Sequence, residues 1–463
     1  MRVSRKDVSS ASHALPEIRF EEQELTSFGG LVLLQAVDLS IGLRAQLRSA
    51  VRHLPTDGAY SASRILLLLI VHMFLGWRRL RDLDYYRDDP LVKRVLGLQR
   101  LPDVSTVSRR LREFDGRSVG ELRGLLRRLV AERACAASPR RLTIDFDGSV
   151  LSTKARGIEG TAVGYNTKHK GARSYYPLFA TMAQTGQVYD VLHRPGNCHD
   201  SRSAKEFITS CIRNLRSSGF SGLLEARLDG AHFSDETCGL LEGAGVEFSV
   251  SVPFERLPKL KQIVENRLAW RRIDENWSYF NWSWRPRAGS KRVYRCVVYR
   301  QRVIVPRKGP IQLELFEPVH REYEYKVVMT NKGVGAPALL QFHNGRGSQE
   351  AIFAELKSQV SMEYLPSRRL IGNQVYLLCS LLAHALSKEI QMRAAAPRFE
   401  ANTPTRACLW LVERIDSIRK RIIQRAARLT RPGGRLVLTL AQCPAVEHDL
   451  RRLLDPLRET AAA

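Results

Sequence analysis

Apolar positions recur at helical spacing from Gly29 to about Arg133, alternate from Arg141 onward, and return to helical spacing after Leu339. In the first stretch the pattern predicts a buried helix over Ile65–Trp77 and a shorter one over Pro90–Leu98. A turn at Pro102 then leads into a helix capped by Ser105, with Val104, Val107, Leu111 and Phe114 facing inward. Arg109, Arg110 and Arg112 would point outward. Two short helices, the second one basic, suggest a helix-turn-helix.

The period changes near Pro139. Arg141–Asp147 alternates, with Leu142, Ile144 and Phe146 on one face of a strand. Tyr175–Ala183 and Val188–Arg194 read as strands joined by a hairpin at Gln184-Thr185-Gly186-Gln187. A helix over Ser203–Ser217, a strand over Leu223–Asp229, a helix over Ser234–Gly243 and a strand over Val246–Val252 follow. Three antiparallel strands, helix, strand, helix, strand is the order of a ribonuclease-H-like α+β core, a mixed sheet flanked by helices. In such a core the first and fourth strands lie side by side and a late helix packs across them.

Between Pro253 and Lys332 the texture changes again. Trp270, Trp277, Trp282 and Trp284 cluster, and Val293–Val305, Ile311–Phe316 and Glu322–Thr330 are rich in strand formers, which predicts a β-strand insertion. Core packing is the favoured reading of the tryptophans, and stacking on an unpaired or flipped base is the minority one. Gln374–Met392 predicts a long apolar helix, Thr405–Arg431 an arginine-rich helical tail, and Leu436–Leu440 a short strand. The expected organisation is a flexible N-terminus (1–28) and a helical DNA-binding region (29–138). A core in two parts (139–252 and 333–400) then flanks the insertion (253–332), with a basic helical tail (401–463).

Charge adds a partner. Over 463 residues the formal net charge is +26, spread along the chain, which favours a polyanion such as double-stranded DNA. Eight scattered cysteines without a C-x-x-C pair argue against a zinc ribbon or a disulfide framework. The start has no secretory pattern, and the longest apolar run, Ile65–Trp77, is shorter than the ~20 residues that span a bilayer. A cytoplasmic, nucleoid-associated protein with no membrane partner is the expectation.

The candidate chemistry centres on His343, Arg346, Glu350 and Lys357. On one helix these spacings fall within a wedge of about 60°, beside an apolar face of Ile352, Phe353, Leu356 and Val360. Asp147 ends the first core strand and Asp229 the fourth. Each acid alone is more often a turn residue, a cap or a surface pair. Together on a very basic chain they suggest a carboxylate cluster, which needs bound cations to offset mutual repulsion. Hard ions such as Mg²⁺, with Mn²⁺ as substitute, suit oxygen ligands, and two of them ~3.5–4 Å apart serve in-line displacement at phosphorus. Asp145 lies on the same strand face as Asp147, so either acid fits on geometry; the Gly148-Ser149 that follows and the strand-end position favour Asp147. His199 and Asp200 read as loop residues.

These motifs resemble an insertion-sequence DDE transposase of the branch with a Tyr-x2-Arg-x3-Glu-x6-Lys signature. Arg346, Glu350 and Lys357 keep its spacing, and His343 stands in place of the Tyr. Asp147-Gly148-Ser149, Asp229-Gly230-Ala231-His232-Phe233, Gly164–Gly171 with Tyr175–Phe179, and Pro195–Ser201 are similar to its other motifs. The resemblance covers roughly residues 30 to 400. It implies that Asp147, Asp229 and Glu350 are metal ligands, that Arg346 and Lys357 contact phosphates, and that His343 contacts DNA. It also implies binding of terminal inverted repeats, cleavage and joining of DNA ends, and a homodimer that pairs two ends. The rivals are a nuclease that cuts without joining and a DNA-binding regulator.

Overall fold

The computed structural model describes residues 17–18, 21, 24–55, 58–164, 166, 169–198, 203–285, 292–303, 323–398 and 404–462. Ile311–Phe316, His199 and Asp200, together with Tyr165, Thr167 and Lys168 of the Gly164–Gly171 motif, lie outside the described residues. The fold is mixed α+β around one nine-stranded sheet. Its strands are β1 (Arg141–Gly148), β2 (Leu178–Met182), β3 (Gln187–Leu192), β4 (Leu223–Leu228), β5 (Val246–Ser251), β6 (Arg271–Arg272), β7 (Trp277–Trp284), β8 (Tyr294–Arg302) and β9 (Tyr323–Thr330). Their spatial order is β6-β7-β8-β9-β5-β4-β1-β2-β3. β1 pairs parallel with β4, and β4 parallel with β5. The other neighbours are antiparallel.

The region expected as an insertion therefore extends the central sheet, because β9 pairs with β5 from Val328 opposite Ser251 to Thr330 opposite Ser249. β7, legible in the sequence only as clustered tryptophans, pairs antiparallel with β8 along its whole length, from Trp277 opposite Gln301 to Trp284 opposite Tyr294. The expected strand Tyr175–Ala183 is divided at Pro177, which cannot donate to a ladder. Arg173–Tyr175 joins a small separate sheet, and Leu178–Met182 becomes β2.

The alternation in β1, β4 and β5 sorts the sheet into two unlike faces. Leu142, Ile144, Phe146, Leu224, Ala226, Leu228, Val246, Phe248 and Val250 are all buried. Phe146 meets Phe207 of α3 (Ala204–Ser217) edge-on at 6.2 Å on this side, and α4 (Asp235–Gly243) packs against β5. The opposite face carries Arg141, Thr143, Asp145, Asp147, Glu225, Arg227, Asp229, Glu247, Ser249 and Ser251, of which Thr143, Asp145, Glu225, Arg227 and Ser249 are buried and the rest half-buried. Such a face is tolerable only if its charges pair. Glu225 is held by Arg141, Lys332 and Arg406 at 3.0, 2.6 and 2.9 Å. Burial pushes its carboxyl up, but Arg406 and Lys332 hold it at about 2.

Two further helices form the floor of the molecule. α1 (Ala62–Leu75) and α2 (Gly116–Ala136) pack against the long α7 (Leu370–Arg393), in a core shared from Phe28 to Leu457. By length and composition α7 could cross a membrane, but 83% of its most apolar window is buried inside the protein. The helix expected to be capped by Ser105 begins earlier, at Val104, with Asp103 before it. The tail is not one helix. It forms a short helix (Ile415–Ile418), a wide helical turn (Arg419–Ile423), a hairpin (Ala427–Thr430 with Val437–Leu440) and a last helix (Pro444–Ala462). Leu25–Thr26, expected within a flexible terminus, pairs with that hairpin at Arg428 and Ala427.

Arg227 is wholly buried and grips Asp145, so its loss strands a buried carboxylate. Arg227→Met is expected to lower stability by about 3–5 kcal/mol in urea denaturation. An unchanged midpoint would show that the pair does not hold the sheet together.

Candidate active site

Asp147 and Asp229 occupy equivalent places on adjacent parallel strands. Asp145 is in register with Arg227, and Phe146 with Leu228, so one step further Asp147 and Asp229 leave the sheet side by side on the polar face. Asp229 starts a 3-10 turn (Gly230–His232), accepting from the Ala231 amide at 3.1 Å. His232 Nε2 lies 3.8 Å from its Oδ1.

The late helical stretch crosses this face in two pieces, α5 (Ala336–Asn344) and α6 (Gly347–Gln359). Arg227 causes the break. Its Nη1 donates to the Phe342 carbonyl at 3.0 Å, taking the acceptor that the Arg346 amide would use in a continuous α-helix. Arg346 N bonds instead to His343 O at 3.2 Å. Gly345 is required at the crossing, since a Cβ there would lie 2.2 Å from Arg227 Nη1. α6 then seats Phe353 on Phe179 of β2, ring centroids 5.1 Å apart, and Gln349 donates to the Asp145 carbonyl at 3.1 Å.

This arrangement corrects the expected single stripe. His343 belongs to α5, is 3% exposed, and bonds Ser249 through Nδ1 (2.9 Å) and Ser251 through Nε2 (2.8 Å). Burial holds its pKa well below the usual value, and Lys326, Arg346 and Arg227 add to the effect. A neutral ring with both nitrogens occupied pins α5 to β5. Arg346 precedes α6 and donates to Asp147 Oδ2 at 2.9 Å. Glu350 is exposed in the first turn of α6. Lys357 donates to the Val150 carbonyl at 3.1 Å, just beyond the Asp147 strand end.

Asp145 is spent on Arg227. Both its oxygens accept from the guanidinium, one of them at 2.7 Å, in a buried ion pair. Asp147 is different: burial pushes its carboxyl up to about 6, Arg346 pulls it back, and the charges of Asp229 and Glu350 push it further. The three acids therefore share one field. Among the described residues no three His, Cys, Asp or Glu side chains form a ready metal cage. Mg²⁺ does not need one, because it keeps several waters and takes one or two carboxylates plus substrate oxygens. Repelling acids with open faces fit such an ion.

Beside them a cleft of about 380 Å³ opens between the extended sheet and the helices, lined by Trp277, Tyr325, Lys326, Asn344, Arg346 and Glu350, among others. Sequence reasoning missed Lys326, which donates to Asn344 Oδ1 at 2.7 Å. Its burial and the nearness of Arg346 lower its pKa. Trp270 packs under Arg300 and against Phe280, and Trp284 stacks on Tyr294. Arg109 and Arg112 are exposed, while Arg110 is tied to Glu113 at 2.6 Å.

A family model described as the transposase DDE domain, group 1, matches residues 11–462. The chain belongs to the DDE transposase family. This transposase finds no match among curated proteins. A solved structure, the cryo-EM structure of a piggyBac transposase synaptic complex with hairpin DNA, aligns with it at 10% identity. That alignment covers 76% of this chain and 74% of the other, with a TM-score of 0.39.

In the metal-free protein the Asp147 carboxyl is expected to titrate near pH 6 by carbon NMR. Because the folded protein binds that proton more tightly than the unfolded chain, its contribution to stability falls as pH rises from about 4 to 6. Glu350→Gln or Asp229→Asn should move the midpoint down and Arg346→Met should move it up. A midpoint near 4 that none of them shifts would contradict the shared field.

Proposed function

We propose that this family member is a DNA transposase that binds the terminal inverted repeats of its element, cuts phosphodiester bonds, and joins the freed 3′-hydroxyl ends to target DNA. The observation that carries the proposal is the parallel register of β1 and β4, which sets Asp147 beside Asp229, with Glu350 close enough to perturb Asp147. The strand order β3-β2-β1-β4-β5 supports a ribonuclease-H-like core beneath them.

Asp147, Asp229 and Glu350 would hold Mg²⁺ or Mn²⁺, two ions per site. Bound there, such ions lower the pKa of an attacking hydroxyl and stabilise the leaving oxygen of an in-line displacement. The chain's own residues do the positioning. Arg346, Lys357 and the N-terminus of α6 place positive charge along the backbone entering the site and orient its phosphates. Arg346, which pairs with Asp147 at 2.9 Å, stands at the mouth of the site, where its planar guanidinium could take a backbone phosphate in two hydrogen bonds. Arg109, Arg110 and Arg112 bind the end duplex, and two copies bring two ends together as a homodimer on DNA. A cytoplasmic setting, with the protein on the nucleoid, belongs to this reading.

Labelled DNA carrying the element's ends, incubated with protein and Mn²⁺, separates the alternatives. Glu350→Gln should reduce cleavage and joining by about a thousandfold or more while end binding persists. Cleavage without joining by the unaltered chain would favour a nuclease, and end binding alone a regulator. Asp147→Asn should be as inactive as Glu350→Gln. Activity surviving in Asp147→Asn would remove the residue from the site.

A further inference from the structure

The C-terminal hairpin is a second basic feature that the catalytic site does not use. From Ala427 to Leu440 the hairpin carries Arg428, Arg431 and Arg435 and no Asp or Glu. Ala427–Thr430 pairs antiparallel with Val437–Leu440, Ala427 opposite Leu440 and Thr430 opposite Val437. Ala427 and Leu429 are buried, whereas Arg428 and Thr430 face outward. The strands project a tip, Arg431-Pro432-Gly433-Gly434-Arg435-Leu436, in which every residue is exposed. Gly433 and Gly434 both have positive φ, 57° and 77°, so the apex folds tightly and carries no side chain. Among the described residues no ion pair engages Arg431 or Arg435.

The base of the hairpin is rigidly held. Arg419 donates to the Phe74 and Met73 carbonyls of α1 and to Gln359 O of α6 at 3.0–3.1 Å. Glu355 and Gln359 of α6 accept from the amides of Ile415 and Asp416. The helix that carries Glu350 is thus tied to the hairpin. On the other side, Leu25–Thr26 completes a third strand, and Thr26 bonds Asp89, the cap of the short basic helix Pro90–Leu96.

A thin apex flanked by two arginines matches one feature of duplex DNA. The minor groove, ~6 Å wide, excludes a helix but admits a narrow strand of backbone, and its width shrinks at A·T runs. There the negative potential deepens and draws guanidinium in preference to the more strongly hydrated ammonium of lysine. We propose that the Arg431–Leu436 tip is an arm that enters the minor groove at A·T-rich steps, beside the duplex held by the N-terminal helices. The inference rests on the DNA-transposase reading above.

The test uses the full chain, fluorescence anisotropy, and labelled A·T-rich and G·C-rich duplexes of equal length, with circular dichroism to verify folding. The unaltered chain should bind the A·T-rich duplex about fivefold tighter or more, and netropsin, which fills the minor groove, should abolish the difference. Arg431→Ala with Arg435→Ala should erase the preference and reduce the salt slope by about one to two. Arg431→Lys with Arg435→Lys should keep the salt slope and still lose most of the preference. A double alanine variant with unaltered binding overturns the arm while leaving the DNA reading intact. Equal weakening on both duplexes overturns minor-groove entry, and no binding of either duplex by the unaltered chain overturns both proposals.

Discussion

Arg227 has no exposed surface, and its guanidinium reaches four oxygens on three separate segments. It takes both carboxylate oxygens of Asp145 on β1, the Phe342 carbonyl at the end of α5, and the Thr405 carbonyl at 2.9 Å. Much of the architecture of the site follows from this one side chain. The Asp145–Arg227 pair fixes the register of β1 on β4, and two residues further along each strand that register delivers Asp147 and Asp229. The bond to Phe342 breaks the crossing helix, which frees Arg346 to turn toward Asp147 and starts α6 where Glu350 sits in its first turn. A buried ion pair is a costly way to join strands, since desolvation offsets much of its attraction. Here the same guanidinium also sets backbone geometry that no apolar pair of equal volume could set.

The polar face makes that cost bearable in steps. At the start of the parallel strands Glu225 is surrounded by Arg141, Lys332 and Arg406, and in the middle Asp145 is matched by Arg227. At the strand ends the balance fails: Asp147 and Asp229 face Glu350 with Arg346 as the cation in direct contact with Asp147. A row of satisfied charges that ends in an excess of negative charge is a gradient pointing at the place where a cation is wanted.

The alternation of Leu142, Ile144 and Phe146 is legible in the sequence because a two-residue period survives any context. It placed the first strand, the strand-end acids and the mixed α+β order. The extension of the sheet by β7, β8 and β9 was not legible, because pairing between β9 and β5 is a long-range choice that leaves no local mark. The stripe from His343 to Lys357 misled in one respect. Spacing counts residues as though the helix were continuous, and the break at Gly345 is imposed by Arg227, more than a hundred positions earlier in the chain. His343 therefore became a buried strut. In the tail the strand expected over Leu436–Leu440 is present at Val437–Leu440, but the end of the expected helix is a strand at Ala427–Thr430, since Leu25–Thr26 supplies a partner from the opposite end of the chain.

The central claim is that the β1–β4 register makes one cation site from two strand ends. Mn²⁺ titration followed by electron paramagnetic resonance tests it directly, using the unaltered chain, Asp147→Asn, Asp229→Asn, and Glu132→Gln as a control on α2. Asp147→Asn and Asp229→Asn should each weaken Mn²⁺ binding by about tenfold or more, with Glu132→Gln unchanged. If Asp229→Asn binds Mn²⁺ as tightly as the unaltered chain while Asp147→Asn does not, the two strand ends do not form one site and the account fails.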